Sequence, residues 1–278
     1  MEFLIKLIVA LQYEIERPRS WGAFHLFWIA LCALVTLLLL RHKPKNREKY
    51  LKSILGVFGF TALALEIAKQ VIWSYDGIWH YQWYAAPFQL CTTPIFASLI
   101  ALFLPRCRAR DNLLSYMAFV TILGSVATAV YPESCFVPTL LVDVHTMFLH
   151  LGGLCVSLCL LAREVDFSRK SFRGGFCVFL IFAGVAEALN VAVYHSGVLN
   201  GETFNMFYIS PYFISALPVF DAIQQSVPFP VFLLAYLAAM FLGSGAVFLA
   251  GAGIKKMAAG RSRRSLPGKP YFPVERAS

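Results

Sequence analysis

The side chains that could do chemistry in this sequence stand inside or at the edges of long apolar stretches. They include one thiol, two imidazoles, an amide and a carboxylate: Cys91, His145, His150, Gln89 and Glu187. A thiol can attack an electrophile, an imidazole can move a proton near neutral pH, and a carboxylate can orient an imidazole. Polar groups at membrane depth are costly, so they indicate a functional site unless packing or pairing accounts for them.

Two further pairs stand three residues apart, a spacing that puts both members on one helix face. Glu66 precedes Lys69, and Glu187 precedes Asn190. The first pair could form a structural ion pair or belong to a proton relay. The second could join helices by hydrogen bonds or line a site. The sequence leaves both choices open.

These polar groups share a depth. At about 1.5 Å rise per residue, Glu66, Glu187 and His145 lie roughly 10–13 Å below the outer ends of their stretches. Cys91 lies roughly 6 Å below and His150 about 18 Å below. Polar groups of four helices in one slab predict a shared cavity that opens outward. The two histidines stand about 140° apart around a straight helix, so we expect them to face different atoms.

The stretches that carry these residues are membrane spans. Apolar residues make up 59% of the 278 residues and charged residues 14%, with a mean hydropathy of +0.66, which excludes a disordered chain and argues against a soluble globule. A bilayer core of about 30 Å needs about 20 apolar residues in a helix. Because lipid offers the backbone no hydrogen bonds, we predict an all-α polytopic protein with seven transmembrane helices. The seven stretches are 22–41, 53–75, 87–105, 112–131, 138–161, 175–194 and 229–251.

Basic residues alternate between the connections. The connections after the first, third and fifth stretches, together with the C-terminal tail, hold 20 of the 24 Lys and Arg residues. The connections 76–86, 132–137 and 195–228 hold none. The positive-inside rule therefore predicts an N-terminus outside, a cytoplasmic C-terminus and a location in the cell membrane. Here the positive net charge reports topology, and no nucleic-acid partner is predicted.

Three parts of the chain follow from this layout. In residues 1–20, the apolar side chains fall on one face of a helix. This pattern predicts an N-terminal helix that lies in the outer membrane–water interface. Residues 21–254 form the seven-helix domain, and residues 255–278 a basic cytoplasmic tail with the composition of disorder. The long connection 195–228 predicts a short interfacial or re-entrant piece at about 204–220, packed over the mouth of the cavity.

Other site chemistries have weaker support. Cys91 and Cys135 both lie near the outer face, where a disulfide is permitted. A metal site built from Cys91, His145, His150 and Glu187 is an alternative, but no ligand spacing supports it. The last span has no Lys for a Schiff base, which disfavours a retinal-type sensor. No cofactor is predicted.

Several short motifs resemble those of a known family. They are 87–91 (PFQLC), 131–136 (YPESCF), 143–150 (DVHTMFLH), Asn190 and 205–207 (NMF). The pattern over about residues 50–250 resembles the YwaF-type bacterial integral membrane proteins, related to the eukaryotic transmembrane-protein-164 family. That family implies seven helices. Its eukaryotic branch is understood as a cysteine-dependent acyltransferase that remodels phospholipids.

The resemblance implies roles for particular residues. Cys91 would be the nucleophile, and His145 or His150 the base, with membrane lipids as partners. Glu187 could orient the imidazole, as the chemistry of such sites requires. Gln89, Asn190, Asn205, Glu66 and Lys69 are then candidates for substrate binding. The alternative is a transporter or ligand-binding membrane protein that uses the intramembrane Glu, Lys and His side chains as a relay, although no inverted repeat is visible.

Overall fold

The structure, a computed structural model, describes residues 2–264, without the side chains of Ser134 and of residues 259–264. The described chain is mostly helical, which confirms the predicted all-α class. Its α-helices are, in chain order, α1 (Glu2–Leu11), α2 (Ala23–Arg41), α3 (Arg47–Trp73), α4 (Thr93–Phe103), α5 (Arg108–Phe119), α6 (Thr121–Val130), α7 (Leu140–Met147), α8 (Gly153–Arg163), α9 (Arg169–His195), α10 (Phe220–Ser226) and α11 (Phe229–Arg264).

Six helical segments of the described chain are long and apolar enough to cross a membrane. They are Ala23–Arg41, Arg47–Trp73, Arg108–Val130, Leu140–Arg163, Arg169–His195 and Phe229–Ala258. The third combines α5 and α6, and the fourth combines α7 and α8 through a π-helical turn, Phe148–Gly152. Each matches a predicted span.

The predicted span 87–105 differs from the other six. Its only helix, α4, has 11 residues, or about 16 Å of length against a bilayer core of about 30 Å. Pro94 occupies the first turn of α4, where its missing N–H costs nothing, and the chain before it is irregular. This short helix is the feature that hydropathy alone did not predict.

Basic residues mark one end of the bundle, hereafter the basic end. α2 ends there at Arg41 and α8 at Arg163, while α3, α5 and α9 begin there at Arg47, Arg108 and Arg169. The other end, hereafter the opposite end, carries the aromatic connections. A two-stranded antiparallel hairpin lies there, with β1 (Tyr75–Asp76) paired to β2 (Ile78–Trp79) around a turn at Gly77.

The span formed by α5 and α6 is the centre of the bundle, since 67% of it is buried, more than of any other span. Tyr116 and Phe119 are fully enclosed within it. α9 approaches α5 closely at Gly175, where a Cβ would stand 2.8 Å from the Tyr116 backbone nitrogen. Small residues are how helices pack tightly in lipid, where no hydrophobic effect drives them together.

The first and last described helices, α1 and α11, test the predicted ends of the membrane domain. α1 buries Ile8 against Ile72 and Val142, and its other apolar side chains are largely exposed, as an interfacial helix requires. It covers about half of the predicted segment 1–20. α11 continues to Arg264, into the predicted tail, and the remainder of that predicted disordered tail, 265–278, lies outside the described residues.

Candidate functional site

A cavity of about 490 Å³ near the opposite end brings together two of the predicted catalytic residues, Cys91 and His150. We call it the thiol cavity. Most of its wall is apolar, with hydroxyl groups from α6. Its lining residues are Gln89, Leu90, Cys91, Pro94, Val120, Thr121, Gly124, Ser125, Ala127, Thr128, Val130, Tyr131, Leu149, His150, Tyr208, Leu217 and Pro218.

Cys91 lies in the irregular chain just before α4, two residues from its first residue. Its side chain is partly buried. The positive end of a helix dipole favours a thiolate, whereas burial disfavours one. Cys91 therefore has a favourable position for a nucleophile, but needs a base to take its proton.

His150 lies within the π-helical turn Phe148–Gly152 between α7 and α8. Such turns are rare and occur frequently at functional sites. The imidazole lines the thiol cavity and interacts with the backbone of Gly124 in α6. Of the two predicted histidines, His150 is the one that shares a cavity with Cys91.

Tyr208 is a cavity residue that the sequence did not single out. It stands directly after the Asn205-Met206-Phe207 motif, and both Phe207 and Tyr208 have a φ of 59°, a conformation rare for such residues. Burial raises the pKa of Tyr208 to about 12, so its hydroxyl keeps its proton. Strained backbone and a protonated hydroxyl beside a thiol are signs of a functional position.

His145 belongs to a separate group of buried charges. Its Nε2 lies 2.8 Å from Oε2 of Glu66, whose other oxygen lies 2.7 Å from Nζ of Lys69. Gln70 donates a hydrogen bond to the same carboxylate and another to the Ala85 carbonyl. Glu66 and Lys69 thus form the predicted ion pair, and α7 supplies a third partner. We call these four side chains the ion-pair cluster.

Gln89 and Asn190 hydrogen-bond the chain that forms one wall of the cavity. The Asn190 amide donates to the Met206 carbonyl and accepts from the Met206 N–H, at 3.1 and 2.7 Å. Gln89 donates to the Asn205 carbonyl and accepts from the Phe207 N–H. These two predicted substrate-binding residues therefore hold backbone groups in place.

Asn205 has the same structural use. Its side chain donates to the carbonyls of Phe213 and Ile214 and accepts from the Ser210 N–H. These bonds fold the predicted piece 204–220 back on itself, and Tyr208 and Leu217 of this piece line the cavity.

Glu187 is not among the residues that line the thiol cavity. It is half-buried on α9, and its carboxylate lies 3.5 Å from the Asn190 amide nitrogen. The carboxylate that does contact an imidazole is Glu66, through His145. Cys91 and His150 thus share one cavity, while Glu187 is not part of its lining and His145 pairs with Glu66.

The two polar regions still influence each other. The Cys91 thiol interacts electrostatically with Lys69 and Glu66.

Within residues 2–264, no group of three His, Cys, Asp or Glu side chains is placed to hold a metal ion.

Comparison with known proteins agrees with these motifs. The model of the TMEM164 family matches residues 18–248, most of the chain. No curated protein matches the sequence. No solved structure matches it either.

Proposed function

This chain belongs to the TMEM164 family, a family of membrane proteins, and we propose that it is a cysteine-dependent acyltransferase of the cell membrane that remodels phospholipids. We place it in the YwaF-type branch. The observation that carries this proposal is that Cys91, just before α4, and His150, in the π-helical turn between α7 and α8, line one cavity. A thiol with an imidazole is the pair that acyl transfer through a thioester needs.

The reaction takes two balanced steps. His150 accepts the Cys91 proton, and the sulfur attacks the ester carbonyl of a phospholipid. The C–O bond breaks, the acyl chain stays on sulfur, and the lysolipid oxygen leaves with the proton from His150. The hydroxyl of a second lysolipid then gives its proton to His150, and its oxygen attacks the thioester carbonyl. The C–S bond breaks, the sulfur keeps the electron pair, and His150 returns the proton to Cys91.

Other groups around the cavity fit this reaction. The protonated Tyr208 hydroxyl can donate a hydrogen bond to the oxyanion that forms in each step. The apolar side chains of the cavity wall, such as Leu90, Leu149 and Leu217, suit an acyl chain. The ion-pair cluster acts on the Cys91 thiol electrostatically, through Lys69 and Glu66, and exchanges no proton with substrate.

Lipid access depends on how the chain crosses the bilayer. Glu48 at the start of α3 contacts Arg106 and Arg110 beside the start of α5, so the chain between these helices returns to the basic end. We propose that α4 and the irregular chain before it make this return as a seventh crossing. The N-terminus would then lie outside, the basic end in the cytoplasm, and the thiol cavity within reach of outer-leaflet lipids.

The test is acyl exchange by the purified protein in liposomes that contain a labelled phospholipid and a lysophospholipid. We expect Cys91→Ser to reduce transfer to background, and His150→Gln to slow it by about 10²- to 10⁴-fold. Cys177→Ser is the matched control, because Cys177 is exposed on α9 and outside the cavity. Intact-mass analysis of wild type should show one acyl adduct, which is absent in the Cys91 variant.

The same preparation separates this proposal from the relay alternative. The buried contact between Glu66 and His145 is what a proton-coupled transporter would use. Full transfer by Cys91→Ser would overturn the acyltransferase proposal. Proton-coupled flux that survives this substitution but not Glu66→Gln would support the transporter instead.

A further inference from the structure

A second, larger cavity lies at the basic end. It measures about 810 Å³ and is formed where α3, α5 and α9 begin. On the span that runs past both cavities, the nearest lining residues are Ser115 here and Val120 at the thiol cavity, roughly 8 Å apart at 1.5 Å per residue. The two cavities share no lining residue, so the second cavity is a separate site from the proposed acyl-transfer site.

Arg110 is the unusual residue of this cavity. Only 3% of its side chain is exposed, and its Nη1 lies 2.7 Å from Oε1 of Glu48. Its Nε and Nη2 are also buried, yet neither has a hydrogen-bond partner among the described residues. Buried N–H groups that lack a hydrogen-bond acceptor cost free energy of folding. These two nitrogens form one edge of the guanidinium, the edge that grips two oxygens of a phosphate or carboxylate.

The surrounding elements favour an anion. The positive dipole ends of α3, α5 and α9 meet at this cavity, against one negative end, that of α8. Side-chain caps occupy some of the free N–H groups, since Asn46 accepts from Lys49 and Ser168 from Ser171. The dipoles of these helices still point at the cavity, because they arise from all the aligned peptide units and not only from the capped N–H groups.

The charges that face the cavity are mixed, with basic residues in excess. The basic residues are Arg47, Arg106, Arg108, Arg110, Arg163 and Lys170, and the acidic residues are Glu48, Asp111, Glu164 and Asp166. Glu48 is shared by two of the arginines, and Glu164 pairs with Arg47 at 3.4 Å. One carboxylate therefore serves both Arg106 and Arg110, which leaves an uncompensated positive charge beside the free guanidinium edge.

We propose that this cavity binds a phosphate group, with Arg110 as its bidentate ligand. The phosphate could belong to the headgroup of a lipid in the adjacent leaflet or to a soluble molecule, and the recognition chemistry is the same for both. A terminal phosphate suits the site best, because its oxygens can take both free nitrogens of Arg110 and still face the helix N-termini.

Binding is measured on the full-length protein in detergent micelles. One arm titrates phosphatidic acid against phosphatidylcholine as the control lipid, and the other titrates inorganic phosphate against chloride at constant ionic strength. The readouts are native mass spectrometry and the apparent Tm. Binding of phosphatidic acid alone identifies a lipid site, and binding in both arms identifies a site for either source. Binding of phosphate alone identifies a site for soluble ligands.

Three variants separate binding from folding. Arg110→Lys keeps the positive charge but loses the paired N–H donors of the guanidinium, so we expect the affinity for the phosphate probe to fall at least about tenfold. Glu48→Gln removes the carboxylate that competes for Arg110, so we expect affinity to rise several-fold although the ion pairs are lost. Arg41→Gln is the control, because it removes an exposed positive charge outside the cavity.

The rise with Glu48→Gln is the result that a purely structural Arg110 would not give. The proposal is overturned if neither probe binds the wild-type protein. It is equally overturned if Arg110→Lys and Arg41→Gln weaken binding by the same amount, because the interaction would then depend on total charge alone.

Discussion

Two buried polar regions lie near the same end of this bundle and differ in how their groups are paired. In the ion-pair cluster, the Glu66 carboxylate contacts Lys69, Gln70 and His145 at once. In the thiol cavity, Cys91 and His150 face open space beside apolar side chains. The two histidines thus have different settings, although they stand five residues apart on one span.

The difference separates structural from chemical use of polar groups in a membrane. A buried charge whose contacts are filled by neighbouring side chains has little capacity left for substrate, and its removal should affect folding first. A thiol and an imidazole beside a cavity retain that capacity, and their removal should affect activity first. Single substitutions can test this division, from the largest expected effect on the protein to the smallest.

The largest effect on stability is expected from Glu66→Gln. The substitution leaves Lys69 buried without a counter-charge, which typically costs about 3–5 kcal/mol. The apparent Tm in detergent should therefore fall by many degrees. Adding Lys69→Met should recover part of the loss, because the double variant leaves no buried charge uncompensated.

Glu2→Gln is the matched control for this variant. Glu2 and Lys6 also form an ion pair at 2.7 Å, but their side chains are 83% and 74% exposed. Exposed pairs of this kind contribute little, so the Tm should not change measurably. Equal Tm values for Glu66→Gln and wild type would contradict a structural role for the cluster and favour a relay.

The sequence predicted these regions unevenly. The spacing of Glu66 and Lys69 on one helix face was enough to predict their ion pair, because the interaction is local. Their contact with His145 depends on how α3 and α7 pack, which no local pattern encodes. The assignment of His150 to the thiol cavity depends on a π-helical turn, and its position could not be read from a regular helical period.

The fold shows the same limit. Six spans followed from hydropathy and length, since the bilayer imposes both. The short α4 did not, because side chains of other elements satisfy backbone groups in the irregular chain before it: Gln70 donates to the Ala85 carbonyl, and Glu202 accepts from the Trp83 N–H. Arg110 was counted only as a topology signal, since its burial and its free guanidinium edge arise from three helices that meet.

An intermediate effect is expected from Asn190→Leu. This change removes both hydrogen bonds to the Met206 backbone and leaves two buried groups unpaired, at a cost of about 1–3 kcal/mol for each. The chain that carries Tyr208 should loosen, so hydrogen exchange at 205–210 should quicken and acyl transfer should slow. The size of these changes shows whether acyl transfer at the thiol cavity depends on the chain 205–210 as well as on Cys91 and His150.

Asn190→Asp serves as the graded comparison. It keeps the acceptor for the Met206 N–H and loses the donor to the Met206 carbonyl, so both readouts should lie between those of wild type and Asn190→Leu. Unchanged exchange at 205–210 in the leucine variant would show that the segment is held by other contacts.

The smallest effect is expected from Glu187→Gln, the variant that most sharply tests the division between the two regions. The glutamine can still accept a hydrogen bond from Asn190, and Glu187 does not line the thiol cavity. Stability should stay within about 0.5 kcal/mol of wild type, and transfer should stay within about twofold. A tenfold loss of transfer without a loss of stability would instead make Glu187 the carboxylate that orients the catalytic imidazole. The thiol cavity would then have to include α9 in its working state.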